Sequence, residues 1–239
     1  MKRALLLAAF ALLCLPGAGS AAETLRATLE RKMPGFKIGT IREGPLPGLY
    51  EVVVNGINVF YTDGEGKLGF FGNVVDLATK ESLTRARTDE LSYVDFSRIP
   101  LDKAIVKVLG NGTRKLVVFS DPDCPFCRQL EKLLNRLEDV TIYTMLYPIV
   151  ELHPDARRKA ELVWCAPDRV QAWDALMLEG VVPAASGDPC TAPVAEIARV
   201  ARELFISGTP ALVFEDGKLV PGALEVWQIE DRLARASEG

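Results

Sequence analysis

The sequence predicts two folded units of different class, a small α+β unit followed by a larger α/β unit. Three observations carry this expectation. Residues 36–77 are short apolar runs cut by glycine-containing turns such as Asn55-Gly56, the texture of antiparallel strands. From residue 114 onward, β-branched runs alternate with stretches whose apolar residues recur every three or four positions, the texture of strands alternating with helices. One of those alternations, Val117-Val118-Phe119-Ser120-Asp121-Pro122-Asp123-Cys124-Pro125-Phe126-Cys127, ends a strand in a turn and opens a helix carrying two cysteines at C-x-x-C spacing.

The chain begins Met1-Lys2-Arg3, then has twelve apolar residues from Ala4 to Leu15, then Pro16-Gly17 and the small residues Ala18, Gly19, Ser20, Ala21 and Ala22. This reads as a secretory signal peptide over residues 1–22, since the apolar run is too short to span a bilayer. Cleavage before Ala21 and before Glu23 both fit. Cys14 follows Leu12-Leu13 rather than a small residue, so it is assigned to the discarded peptide and not to lipoprotein processing. Loss of Lys2 and Arg3 takes the net charge from −4 to −6, with 26 basic against 32 acidic side chains. A mildly acidic exported protein is expected, and its acidity argues against a nucleic-acid partner.

Residues 24–33 predict a first helix, with Leu25, Leu29 and Met33 on one face, ended by Pro34-Gly35. Strands are expected at 48–54, 57–61, 67–71 and 74–77. Residues 23–77 are few enough that their core is marginal alone, and a small sheet leaves an edge unpaired. Self-association is therefore expected, burying Val52, Val54, Val59 or their neighbours across a two-fold axis. Residues 80–91, rich in charge and helix formers, read as a connecting helix. The domain boundary is placed between 78 and 98, giving 1–22, 23–77, a linker over 78–98, and 99–239. Phe96, Ile99, Leu101, Ile105, Val106 and Leu109 give a helix-like pattern up to Gly110-Asn111-Gly112.

In the α/β unit, residues 115–120 predict a buried strand, 124–138 a helix and 140–146 a second strand. Helices at 154–165, 169–178 and 192–204 read as a helical insertion, with a long loop over 181–189. A strand follows Thr209-Pro210 directly, Asp216-Gly217 makes a hairpin turn, and residues 226–236 form a closing helix. Pro210 cannot donate to a sheet ladder. Held cis, it leaves neighbouring backbone groups free for an incoming peptide; a trans proline opening a strand is the other reading.

The chemistry concentrates at Cys124 and Cys127. A helix N-terminus offers unpaired N–H groups and the positive end of the dipole, an environment that favours thiolate, the form that attacks a disulfide. Pro125 fits the first helical turn, where its missing N–H has no partner to lose. Cys127, one turn on along the same side, can close a ring with Cys124 or attack a mixed disulfide formed there. Cys124 is therefore expected to be the exposed nucleophile and Cys127 the less accessible resolving thiol. C-x-x-C is also half of many zinc sites, but there is no second C-x-x-C, and the single histidine, His153, lies far along the chain. No metal and no other cofactor is expected. A purely structural bridge across so short a loop would remove little unfolded-state entropy. Four cysteines in an oxidising compartment allow three pairings; the adjacency of Cys124 and Cys127 favours that pair together with Cys165–Cys190.

Strand, C-x-x-C helix, strand, helices, then Thr-Pro before a hairpin and last helix is the order of the thioredoxin fold. Gly48-Leu49-Tyr50-Glu51-Val52, the 63–72 hairpin, Val118 through Cys127, and Gly208-Thr209-Pro210-Ala211 resemble more narrowly the DsbC/DsbG family of periplasmic disulfide isomerases, over essentially the whole mature chain. The resemblance implies a V-shaped homodimer. Its cystatin-like N-terminal domains dimerise, and helical linkers carry thioredoxin-like catalytic domains whose C-x-x-C pairs face a shared cleft. It implies that Cys124 attacks, Cys127 resolves, Pro210 after Thr209 is a cis-proline facing them, and Cys165–Cys190 is structural. Thr209, Pro210, Pro125 and Phe126 would then contact substrate. A DsbD-type membrane thiol reductant would keep the pair reduced, and the substrates would be misoxidised or unfolded exported proteins. The dipeptide Pro125-Phe126 differs from the Gly-Tyr of the best-known member. The expected function is thus disulfide isomerisation and reduction. A DsbA-like thiol oxidase, which would not need the N-terminal unit, and a holdase chaperone, which would not need Cys124, are the alternatives.

Overall fold

The structure, a computed structural model, describes residues 18–185, 187 and 189–237. The basic and apolar parts of the expected signal peptide lie outside the described residues. Packing divides the chain into two compact units, one ending at Arg85 and one beginning at Ala86.

The first unit opens with α1 (Ala18–Lys32), so both expected cleavage points fall within this helix. Four antiparallel strands follow in sequence order: β1 (Ile38–Glu43), β2 (Leu49–Val54), β3 (Asn58–Asp63) and β4 (Gly69–Phe70). Leu25 and Leu29 of α1 pack against Ile38, Val52, Val54 and Phe60. This corrects one expectation. Val52 and Val54 are 0% and 4% exposed and serve the unit's own core, because the alternation of β2 turns them toward α1. Open apolar surface remains at Leu46, Leu68, Phe70, Phe71 and Leu77 among others. A groove of about 520 Å³ there is lined by Leu46, Leu49, Tyr61, Phe70, Phe71 and Val74 among others.

Two further strand expectations change. The expected strand at 67–71 shrinks to β4, and Phe71 stacks on Phe60 with ring centroids 5.0 Å apart. The expected strand at 74–77 reduces to one bridge, Val75 to Ser82. There the side chains compete for the backbone: Thr84 Oγ1 accepts the Val74 N–H, and Asp76 Oδ1 accepts the N–H groups of Ala78 and Thr79. Conversely, β1 was not singled out in the sequence, where Ile-Gly-Thr-Ile-Arg-Glu lacks a clean period of two.

Between residues 80 and 91 the helix is α2 (Leu83–Leu91). The helix-like pattern after it is not a helix. Asp95 caps a 3-10 turn at Phe96–Arg98, a second turn covers Leu101–Lys103, and Ile105–Leu109 is strand β5. Pro100 separates the turns, and the β-branched Ile105, Val106 and Val108 suit a pleated surface better than a helix.

The second unit is built on a five-stranded sheet of order β5-β7-β6-β8-β9. β6 (Arg114–Ser120) is central, parallel to β7 (Val140–Leu146) and antiparallel to β8 (Ala211–Phe214); β9 (Leu219–Pro221) completes the far edge. α3 (Pro125–Leu134) and α7 (Val226–Ala236) pack on the Leu116 and Val118 side through Leu130, Leu134, Ile229 and Leu233. A second cluster joins Ile105 and Leu146 to α4 (Ala156–Trp164), to Trp173 of α5 (Arg169–Asp174), to the π-helical turn Ala175–Glu179, and to Val194 of α6 (Val194–Glu203). Cys124 and Cys127 belong to this second cluster. The hairpin turn at Asp216-Gly217 needs glycine: φ is +89°, and a Cβ there would run into the Val94 carbonyl.

Cys165 and Cys190 form a disulfide closing 25 residues between α4 and the segment before α6. In the chain-entropy model such a loop is worth about 3 kcal/mol. The double Cys165→Ser, Cys190→Ser variant should therefore melt roughly 10 °C lower, with thiol exchange retained. Loss of exchange at unchanged melting temperature would instead make this pair catalytic.

Candidate functional site

The site is assembled by the abrupt end of β6. After Ser120 the segment Asp121-Pro122-Asp123 turns, the Cys124 N–H donates to the Asp121 carbonyl at 3.2 Å, and Cys124 becomes the N-cap of α3 with Pro125 at its start. Cys127 follows one turn in, on the buried face of α3 with Leu130, Glu131 and Leu134. Cys124 and Cys127 are free thiols.

From the far side comes the loop before β8. The Thr209–Pro210 peptide is cis, and the Thr209 carbonyl lies 3.5 Å from Cys124 Sγ, which donates to it. Pro210 is buried, and its carbonyl accepts the Gly222 N–H at 2.8 Å. Thus Cys124, Cys127, Thr209 and Pro210 are brought together, while Pro125 and Phe126 face solvent, Phe126 with 62% exposure. Cys165 and Cys190 are bonded to each other, separately from the C-x-x-C pair. Cys124 is not openly exposed as the sequence led one to expect. It is 5% exposed and Cys127 1%, because the cis-proline loop and the helical cluster close over both sulfurs.

The two thiols meet different surroundings. Burial pushes the Cys127 thiol up to about 12; the Asp121 backbone N–H, the Ser120 and Thr209 hydroxyls pull the other way, and the neighbouring Cys124 sulfur adds to the rise. Cys127 Sγ accepts the Asp121 N–H at 3.5 Å.

Three acidic groups lie near the pair: Asp121 and Asp123, which the sequence already sets beside the thiols as like charges opposed by Arg128, and Glu131, which it does not announce. Asp121 is fully buried; its Oδ1 accepts the Asp123 N–H at 2.8 Å, and its Oδ2 accepts the Ile149 N–H at 2.7 Å and lies 3.0 Å from His153 Nδ1. Asp123 pairs with Lys159 at 2.6 Å and Arg128 at 3.6 Å. Glu131, one turn beyond Cys127, is 2% exposed, and burial pushes its carboxyl up to about 7, opposed by the charge of Lys107. Only the Asp-Pro-Asp cluster beside the cysteines gave any sequence signal. His153 and Lys159 arrive from a distant segment.

The raised Glu131 makes a stability prediction. The unfolded chain releases this proton near 4.5 and the folded chain near 7. The stabilisation from holding the proton is fully present below about 4.5 and is lost as pH rises through 7. Glu131→Gln, which cannot ionise, should raise the melting temperature at pH 8, by an amount corresponding to roughly 3 kcal/mol. The advantage should disappear by pH 4. A gap that stays constant from pH 4 to pH 8 would contradict this origin.

Comparison with known proteins agrees with the architecture. The family model of a thioredoxin-like domain matches residues 101–237. That of the disulfide bond isomerase protein N-terminal domain matches residues 16–85. The "Probable thiol:disulfide interchange protein DsbC" of Bordetella avium is 41% identical over 213 residues, covering 89% of this chain and 75% of that protein. The thiol:disulfide interchange protein DsbC of Escherichia coli is 28% identical over 191 residues, covering 79% of this chain and 78% of that protein. A crystal structure of a disulfide interchange protein from Neisseria gonorrhoeae superposes with a TM-score of 0.55 at 45% identity, covering 58% of this chain and 98% of that one.

Proposed function

The chain belongs to the DsbC family of thiol:disulfide interchange proteins, and from that premise we propose that it is a periplasmic disulfide isomerase and reductase acting on misoxidised exported proteins. The observation that carries the reading is a free dithiol at a helix N-terminus, opposite a cis-proline loop, in a chain that also has the isomerase-type N-terminal domain.

The Cys124 thiolate attacks a substrate disulfide; a Cys124–substrate disulfide forms and one substrate sulfur leaves as thiolate. A second substrate thiolate then attacks the substrate sulfur of that mixed disulfide, which makes a new substrate bond and frees Cys124. That is isomerisation. Alternatively the Cys127 thiolate attacks Cys124 Sγ, the substrate leaves as thiolate, and Cys124–Cys127 remains oxidised until a DsbD-type membrane reductant returns two electrons. Thr209, Pro210, Pro125 and Phe126 hold the substrate strand: the first two border the sulfur, and Phe126 offers an exposed apolar ring.

The protein acts as a homodimer through its first unit. The open apolar groups around β4, rather than Val52 and Val54, are the surface this reading assigns to the two-fold contact. The assay that tests the reading is recovery of a scrambled multi-disulfide protein. The mature chain in catalytic amounts should restore native pairing, and a chain that only oxidises reduced protein without reshuffling scrambled bonds would refute the isomerase assignment.

A further inference from the structure

A fully buried carboxylate beside a resolving cysteine calls for an explanation. Removing a carboxylate from water is expensive unless donors replace the lost hydration. Here they do: Asp123 N–H, Ile149 N–H and the His153 ring all converge on Asp121. Two of these three come from residues 149–153, which lead into α4. The same residue's backbone N–H points at Cys127 Sγ. The carboxylate therefore fixes, from three sides, the peptide unit that donates to the sulfur.

We propose that Asp121 and His153 are positioning residues for the resolving step, holding the Asp121 N–H on Cys127 Sγ so that this sulfur can exist as the attacking thiolate. A hydrogen bond to the charged form favours that form. The groups facing Cys127 are the Asp121 N–H, the Ser120 and Thr209 hydroxyls and the Cys124 sulfur. The groups around Asp121 are the His153 ring against its carboxylate and, on the next residue but one, Asp123 with Lys159 and Arg128. When Cys127 attacks, its proton has gone to solvent, the Cys124–Cys127 bond forms, the Cys124–substrate bond breaks, and the electron pair leaves on the substrate sulfur. Asp121 and His153 thereby set how a mixed disulfide divides between reshuffling and release. Loosening the brace lengthens the life of the mixed disulfide.

This inference rests on the reading that Cys124 attacks and Cys127 resolves, and its test separates the two. The reduced mature chain is mixed with oxidised glutathione. The first phase is attack by Cys124, and the second is release of the bound glutathione by Cys127. The readout is the pH profile of the second phase. With Asp121→Asn, one oxygen is replaced by an amide nitrogen that cannot accept, and the rising limb of the profile should be displaced to higher pH, slowing release near pH 7 by about 10-fold. His153→Ala should shift it in the same direction, and His153→Asn, whose amide N–H can replace Nδ1–H, should restore it. A faster second phase in Asp121→Asn would mean that the carboxylate's charge outweighs the N–H it positions, and the proposal falls. An unchanged second phase in His153→Ala overturns it as well, and this partly exposed residue supplies the test if Asp121→Asn does not fold. If the wild-type second phase persists in Cys127→Ser, the underlying assignment of the two cysteines fails instead.

Discussion

Cys124→Ser should lose thiol–disulfide exchange by at least ~10³-fold, because a hydroxyl does not supply the polarisable anion that attacks sulfur. The structure gives no substitute nucleophile among the described residues near Thr209–Pro210. Cys127 is buried at 1% exposure with its thiol raised to about 12, and Cys165 and Cys190 are bonded to each other. Cys127→Ser should behave oppositely. Cys124 still attacks, but the internal exit is gone, so mixed disulfides with substrate proteins should accumulate and be visible on non-reducing gels. Retention of substrate rescue by Cys124→Ser would identify a holdase, whose activity does not depend on the sulfur. Trapping by Cys124→Ser and not by Cys127→Ser would reverse the roles.

The second large effect is expected from removing the first unit. An isomerase must hold a non-native chain while bonds are reshuffled, and two linked sites raise the effective concentration of the second contact. The structure indicates where to cut. A fragment beginning at Ser97 would strip the buried Lys218 of its partner. The Lys218 ammonium, on a side chain 3% exposed, donates to the Asp89 carbonyl at 2.8 Å and pairs with the Asp89 carboxylate. The Ser92 carbonyl accepts the Leu219 N–H, and the Val94 N–H donates to the Gly217 carbonyl. The fragment should therefore start at Ala86, the first residue of the second compact unit. It is expected to fold, to be monomeric in sedimentation, and to reduce small disulfides, while losing most recovery of scrambled proteins. Full isomerisation by a monomeric fragment would show that the first unit serves another purpose. A fragment cut at Ser97 should melt below the Ala86 fragment, since an unpaired buried ammonium is costly.

The parts of the chain that were legible are those where local pattern and tertiary environment agree. Val117 to Phe119 is an apolar β-branched and aromatic run and sits in the central strand with both faces covered; all three residues are buried. The α3 helix shows its period of three to four because one face is buried and the other wet. The Cys165–Cys190 bridge was legible from family resemblance and from the C-x-x-C spacing that sets Cys124 and Cys127 apart from it. β5 was misread because Ile105, Val106 and Leu109 also fit a helical spacing; what makes it a strand is β7 beside it, with Ile105 opposite Thr144, a partner some forty residues away in sequence. Val52 and Val54 were misassigned because a valine's period says that one face is buried but not by what. The Asp121–His153 contact spans 32 residues of sequence, and no local rule announces it.

The most direct test of the central claim is the redox state of Cys124–Cys127 inside the exporting cell, trapped by acid quenching and alkylation and then resolved by mass shift. An isomerase must present a thiolate to misoxidised substrates, so the account predicts a predominantly reduced pair that becomes oxidised when the membrane thiol reductant is deleted. A pair that is oxidised in wild-type cells, and reduced only when the cell's disulfide source is removed, would make this protein an oxidase and contradict the account.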